Sequence, residues 1–478
     1  RLQPGAKSIS PMLLNEAREW LHDLRQMRTR GSFARNAMFA FSGTAVVVLS
    51  QLLLTPFIAR TSAPEAYGLH GLFLGICTNL AVVADMGYTH AYVLPREQEK
   101  FTDLVRGNLV ILMIVLVAML PLVLARDLVF TWLPGWSGIG WWWYALPLGV
   151  VVQFVPIMLT QWLMREKAFG RSSSLGGGSN LLLRLFNLGY GWMTRGAAHG
   201  LILGELLVRG LSIGAYWYAL RPYGIKQLFD KFNWTRIRAV MYEYRDQPQF
   251  IFPSRYVGML GLQLPIFMLS SDPAAVGYFS MASSLLLIPL RLFGFSVGTV
   301  FQQKAAETMQ RDPADMARVT GRFFDRLLIT GVLPFAFIIV FGDLVFGLFL
   351  GKEWTMSGVY AAFLGLFFFF RHLSEPIAPL INVHRKAAQL LWFQAILMMI
   401  RLAVLAAGIL WLGSATKAVL AYGIVSALGY AAFSAHLLRL AGMRWLAPMT
   451  RSVLLLAGAV LLLALLRQLI FNSWTPFS

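Results

Sequence analysis

The sequence predicts an all-α polytopic membrane protein. Two six-helix lobes related by pseudo-two-fold symmetry surround a central cavity, with room for an extra C-terminal helix. Three observations predict this. The 478 residues are 57% hydrophobic and 13% charged, with mean hydropathy +0.62, outside the soluble range. Apolar segments of near-spanning length recur from about residue 36 onward. A spacing of prolines and a glycine repeats once between the two halves.

The elements follow in order. Ser10–Pro11 reads as a helix start, with Ser as cap and Pro in the first turn. Leu13, Leu14, Ala17, Trp20, Leu21 and Leu24 then fall on one face, opposite Glu16, Arg18, Asp23 and Arg25. Residues 1–35 therefore form an amphipathic cytoplasmic helix, either lying on the membrane or solvated. It is also a candidate docking element for partner enzymes. Spans are expected at 36–58, 68–93, 105–125, 139–163, 173–193 and 199–220 in the first lobe (36–220). A cytoplasmic linker covers 221–247. The second lobe (248–440) holds 248–270, 275–301, 324–349, 356–381, 388–412 and 416–438. Residues 441–478 hold a further candidate span at 449–471, between Arg451 and Arg467. Ser172–Asn180, SSSLGGGSN, reads either as a linker or as the small-residue start of the fifth span. The first apolar segment lacks a small-residue cleavage site, so no cleavable signal peptide is expected.

The charge of +19 does not mark a nucleic-acid binder, because its distribution is that of membrane topology. With the N-terminus inside, inner segments hold 29 Lys and Arg and outer segments hold 6. Trp132, Trp136, Trp141, Trp142, Trp143 and Trp354 fall in outer loops as an aromatic belt. The repeat supports duplication: Pro56, Pro64 and Gly68 recur as Pro265, Pro273 and Gly277 with a constant offset. Six spans per half relate the lobes by an axis along the membrane normal.

Six arginines remain inside predicted spans: Arg184, Arg209, Arg255, Arg291, Arg371 and Arg401. Each costs about 2.5–3.5 kcal/mol near a bilayer centre on insertion scales. That points them into a water-filled cavity, which attracts an anion. Asp85, Glu205 and Glu375 are the acids noted at membrane depth. Glu205 with Arg209, and Arg371 with Glu375, are four apart on one helix, so each is either an internal pair or part of the cavity. Arg255 and Arg291 have the option of snorkelling to the cytoplasmic side. Asp85 is either a proton or sodium coupling site or a packing hydrogen bond. The single cysteine, Cys77, excludes an internal disulfide and reads as packing. No Walker A sequence and no catalytic constellation is present, so neither an enzyme nor a cofactor is expected.

Two stretches resemble a known group. One runs from Gln51 to Glu97, with Pro56, Pro64–Glu65–Ala66–Tyr67–Gly68, Gly87–Tyr88 and Leu94–Pro95–Arg96–Glu97. The other runs from Ala275–Val276–Gly277–Tyr278–Phe279–Ser280 through Leu285–Leu290 to Phe301–Gln302–Gln303–Lys304–Ala305–Ala306–Glu307. Together they resemble Wzx-type polysaccharide flippases of the multidrug/oligosaccharidyl-lipid/polysaccharide exporter superfamily, beside lipid II flippases and MATE drug exporters. The resemblance implies alternating access in the bacterial inner membrane. It implies an undecaprenyl-diphosphate-linked glycan as substrate, moved from the cytoplasmic to the periplasmic leaflet, with membrane lipid and polysaccharide synthesis enzymes as partners. The N-terminal extension and an odd span count depart from that group, whose members usually have 12 or 14 spans.

Overall fold

The structure, a computed structural model, describes residues 33–194, 199–230, 232–291 and 295–471. The amphipathic segment expected at residues 10–25 lies outside the described residues. All regular elements among the described residues are helical. The first lobe comprises α1 (Phe33–Thr61), α2 (Pro64–Asp85), α3 (Gln98–Leu124), α4 (Leu146–Arg165), α5 (Phe169–Thr194) and α6 (His199–Leu220). A connecting segment carries the short α7 (Trp234–Glu243). The second lobe comprises α8 (Phe252–Met268), α9 (Pro273–Pro289), α10 (Phe295–Arg311), α11 (Met316–Leu350), α12 (Thr355–Ser374), α13 (Ala387–Leu410) and α14 (Ala415–Leu440), and α15 (Leu446–Phe471) follows it. Among the described residues, nine helical stretches are long and apolar enough to cross a bilayer by themselves. The protein is a multi-pass membrane protein.

Local chemistry sets the helix ends. Pro64 and Pro273 occupy first-turn positions that need no N–H donor. Asp272 caps α9 by accepting from the Ala275 N–H at 3.0 Å. Met86 and Gly87 stop α2 with positive φ. Within the eighth predicted span, 275–301, α9 runs to Pro289 and α10 begins at Phe295. The segment SSSLGGGSN lies wholly inside α5 rather than forming a linker. A Cβ on Gly177 would stand 3.3 Å from Val46, and one on Gly43 would stand 2.8 Å from Ser173. The small residues thus bring α5 close against α1.

The two lobes repeat one packing scheme. In the first, α1 packs on α5, α5 on α6, α6 on α4, and α4 on α2 and α3. In the second, α8 packs on α13, α13 on α14, α14 on α12, and α12 on α9 and α11. Each lobe has its own apolar core. One is built on Phe73, Phe101, Phe154 and Trp162. The other is built on α12, where Phe367, Phe368, Phe369 and Phe370 are all buried.

The lobes meet where the proline–glycine repeat lies. A Cβ on Gly68 would stand 1.8 Å from the Pro273 carbonyl oxygen, and one on Gly277 would stand 1.9 Å from that of Pro64. Equivalent residues of the two repeats touch reciprocally, as required at a two-fold axis. Beside this contact, Trp354 Nε1 donates to the Ala59 carbonyl at 2.9 Å and Arg60 Nη2 to that of Leu348 at 2.9 Å. Tyr67 meets the Trp354 ring edge-on at 5.1 Å. This is the end opposite the basic loops.

At the basic end, Asp103 is 1% exposed and accepts from Arg106 at 2.8 Å and Arg236 at 2.9 Å. Arg106 also donates to the carbonyls of Gln227 at 2.5 Å and Leu228 at 3.2 Å. These bonds fix the connecting segment to α3.

Arg467 was expected to flank the last span on the outside. Instead it is buried and holds α15 against α11. Its Nη1 and Nη2 donate to Asp343 Oδ1 and Oδ2, each at 2.7 Å. Removing one partner of a buried ion pair costs about 3–5 kcal/mol, whereas apolar replacement of both is often neutral. Arg467→Met is therefore expected to lower the melting temperature of purified protein sharply. The double substitution Arg467→Met with Asp343→Leu is expected to restore most of it. Equal loss in both variants would show that the pairing is not what secures α15.

Candidate functional site

The expected site residues fall into three environments. The first lies between the lobes. Arg184 projects from α5, and its Nη1 donates to Thr55 Oγ1 of α1 at 3.1 Å. Arg291 follows the end of α9, 18 residues from Pro273 and thus about 27 Å along the helix axis. It is exposed, yet it lies within electrostatic range of Arg184 in the first lobe and Arg371 on α12. A side chain turned outward to lipid would not sense cations of both lobes. Among the described residues, Arg184 and Arg291 form no ion pair. Arg371 donates from Nε to Glu375 Oε1 at 2.6 Å and lies over the Phe368 ring at 5.7 Å. The Arg371–Glu375 spacing is thus an i,i+4 ion pair.

The second environment is a polar cluster inside the first lobe. Glu205 of α6 is 5% exposed and accepts from Arg209 Nε. Gln153 Nε2 of α4 donates to the same carboxylate at 3.3 Å, and His70 Nε2 of α2 stands 3.9 Å away. Arg209 and Arg184 are within electrostatic range of one another, so this cluster borders the first environment. His70, Gln153 and Thr55 are members not foreseen from the sequence. His70 and Gln153 were legible as polar residues within apolar segments.

The third environment joins the lobes at the basic end. Arg255 Nη1 contacts His90 Nε2, and both side chains are exposed. Asp85 at the end of α2 accepts from the Thr89 N–H at 3.0 Å and lies within electrostatic range of Arg255. Its basic neighbour therefore comes from the other lobe, which is why no local partner showed in the sequence.

Arg401 departs from the expected cavity. It is 0% exposed, within the second lobe. Its Nε donates to Ser426 Oγ at 2.8 Å, and its guanidinium faces the rings of Tyr422 at 5.1 Å, Phe367 at 5.2 Å and Tyr430 at 5.8 Å. Tyr422 in turn donates to the Gly261 carbonyl of α8 at 3.1 Å. Aromatic faces supply the attraction that water supplies elsewhere. The correction was legible: Tyr422, Ser426 and Tyr430 share one face of α14 at i, i+4 and i+8.

The seams between the lobes are unequal. Along α2 and α8, Asn79 Nδ2 donates to Gln263 Oε1 at 2.5 Å, and a Cβ on Gly75 would stand 3.3 Å from Phe267. The equivalent seam, α1 with α9, carries the hydrogen bond from Gln51 Nε2 to the Ser284 carbonyl at 3.3 Å.

Solved structures share this architecture. A structure described as lipid II flippase MurJ in an inward closed conformation superposes with TM-score 0.61 at 13% identity, covering 91% of this chain and 99% of that chain. The fold is that of the MOP-superfamily transporters. An inward-facing multidrug resistance MATE family transporter of that superfamily gives TM-score 0.60 at 12% identity, covering 91% of this chain and 98% of its own. A Vibrio cholerae MATE transporter gives 0.54 at 13%, covering 89% and 97%. No family model matches the sequence, and no curated protein matches it.

Placed one at a time in a Cys77→Ala background, Arg291→Cys is expected to react readily with a membrane-impermeant thiol reagent. Arg401→Cys is expected to react at least about tenfold more slowly, in keeping with its burial. Equal rates at the two positions would contradict this division.

Proposed function

We propose that the protein flips an oligosaccharide carried on undecaprenyl diphosphate from the cytoplasmic to the periplasmic leaflet by alternating access, for surface or exopolysaccharide synthesis. One observation carries the proposal: Arg184, Arg291 and Arg371 approach one another from both lobes, and the first two have no ion-pair partner among the described residues. Like charges gathered in a partly desolvated space repel. An anionic ligand relieves that repulsion, and a cationic one adds to it. Guanidinium forks present paired donors that match phosphate oxygens. The diphosphate therefore sits between the lobes, and the glycan occupies the polar space beside it.

The lipid tail stays in the bilayer and leaves through the α1–α9 seam, where the helices pack less closely than α2 against α8. The reciprocal Gly68–Pro273 and Gly277–Pro64 contact is the barrier at the outer end. Positive-inside counting places the basic end in the cytoplasm. The resting state then receives substrate from the inner leaflet of a bacterial plasma membrane. The N-terminal segment remains a docking candidate for synthesis enzymes.

A second reading is favoured by Glu205. A buried acid beside His70 and Arg209 suits a coupling-ion site, as an ion-coupled exporter of small solutes requires. The two readings differ in cargo charge.

The test is transport in liposomes. Purified protein is reconstituted with a fluorescent polyprenyl-diphosphate glycan, and loss of outer-leaflet label is followed. Arg184→Gln and Arg291→Gln are each expected to slow flipping by about tenfold or more, each removing a charge-assisted contact. Wild-type flipping by both folded variants, or efflux of a cationic dye in place of flipping, would overturn the proposal.

A further inference from the structure

A groove of about 850 Å³ lies at the basic end, between the start of α5 and the end of α6. Its floor is small: Gly170, Ser174, Ala215 and Ala219. Two arginines stand at its mouth, one from each side, and both are exposed. Arg171 lies over the Tyr223 ring at 5.5 Å and directs Nη1 to the Ala219 carbonyl at 3.4 Å. Arg221 lies over the Tyr218 ring at 5.0 Å. Among the described residues, neither arginine has a carboxylate partner, and no carboxylate lines the groove. Aromatic stacking therefore orients both guanidinium groups and leaves donors free.

We infer that this groove binds the phosphate head of an acidic membrane phospholipid from the leaflet at the basic end. The depth is right: the groove sits at the ends of two spanning helices, where headgroups lie and where Tyr and Arg concentrate. The charge is right, because two uncompensated guanidinium groups flank one volume. The shape is right, because small side chains leave space that Leu175 lines with an apolar wall suited to the start of an acyl chain. This also gives the stretch SSSLGGGSN a second use. Ser173 and Gly177 meet α1, while Ser174 opens onto the groove. The groove does not include the inter-lobe arginines, so its failure leaves the transport reading untouched.

The experiment uses the full chain in detergent, with lipid retention read by native mass spectrometry and melting temperature as a second readout. Dioleoyl phosphatidylglycerol is titrated against dioleoyl phosphatidylcholine. Wild type is expected to retain the acidic lipid preferentially and to melt higher in its presence. The double substitution Arg171→Gln and Arg221→Gln is expected to weaken retention by about tenfold, the scale of one to two lost charge-assisted hydrogen bonds. Arg385→Gln with Lys386→Gln, at the same end but outside the groove, is expected to leave retention unchanged. If the arginine variant fails to fold, Ala215→Trp keeps both charges, fills the groove and is expected to give the same loss. Undiminished retention in the arginine or Trp variant overturns the inference. So does equal loss in the Arg385/Lys386 control, or displacement of the lipid by millimolar inorganic phosphate.

Discussion

A guanidinium group does not lose its proton under ordinary conditions, so within a bilayer it must find a substitute for water. That constraint organises this molecule. Four solutions coexist in it. Arg467 takes a bidentate carboxylate. Arg401 takes a hydroxyl and three aromatic faces. Arg209 and Arg371 take a glutamate one turn away. Arg184 takes a single threonine hydroxyl, while Arg291 forms no ion pair among the described residues and lies within electrostatic range of Arg184. What remains unsatisfied after folding is what a ligand can satisfy.

The duplication supplies the place. Six helices packed in the same order in each half put equivalent residues on either side of one axis. Two glycines on that axis let the repeats touch through their backbones. A side chain at either glycine would meet a carbonyl oxygen at under 2 Å, so this contact is possible only where no Cβ stands. A contact made by backbone van der Waals approach separates without breaking an ion pair, which suits the alternating access we propose. The hydrogen bonds of Trp354 and Arg60 to backbone carbonyls are the polar part of the same closure.

Much of this was legible in the chain. Apolar run lengths located the helices because a span needs a nearly fixed number of residues. The proline–glycine spacing marked the lobe contact because both residue types are fixed by backbone geometry rather than by partners. The fate of each arginine was harder to read. Arg184 and Arg401 stand in equally apolar surroundings along the chain, and only the neighbouring helix separates them. Thr55 meets one, and an aromatic box meets the other. Asp343 and Arg467 pair across 124 positions. Asp343 within an apolar run was a signal of membrane-depth charge that composition alone could have raised.

The most direct measurement of the central claim is calorimetric titration of a short-chain polyprenyl diphosphate into purified full-length protein. Saturable binding is expected, falling sharply with the corresponding monophosphate and abolished by Arg184→Gln combined with Arg291→Gln. Undiminished binding in that double variant, or a preference for a tetraalkylammonium ion over the diphosphate, would contradict the claim.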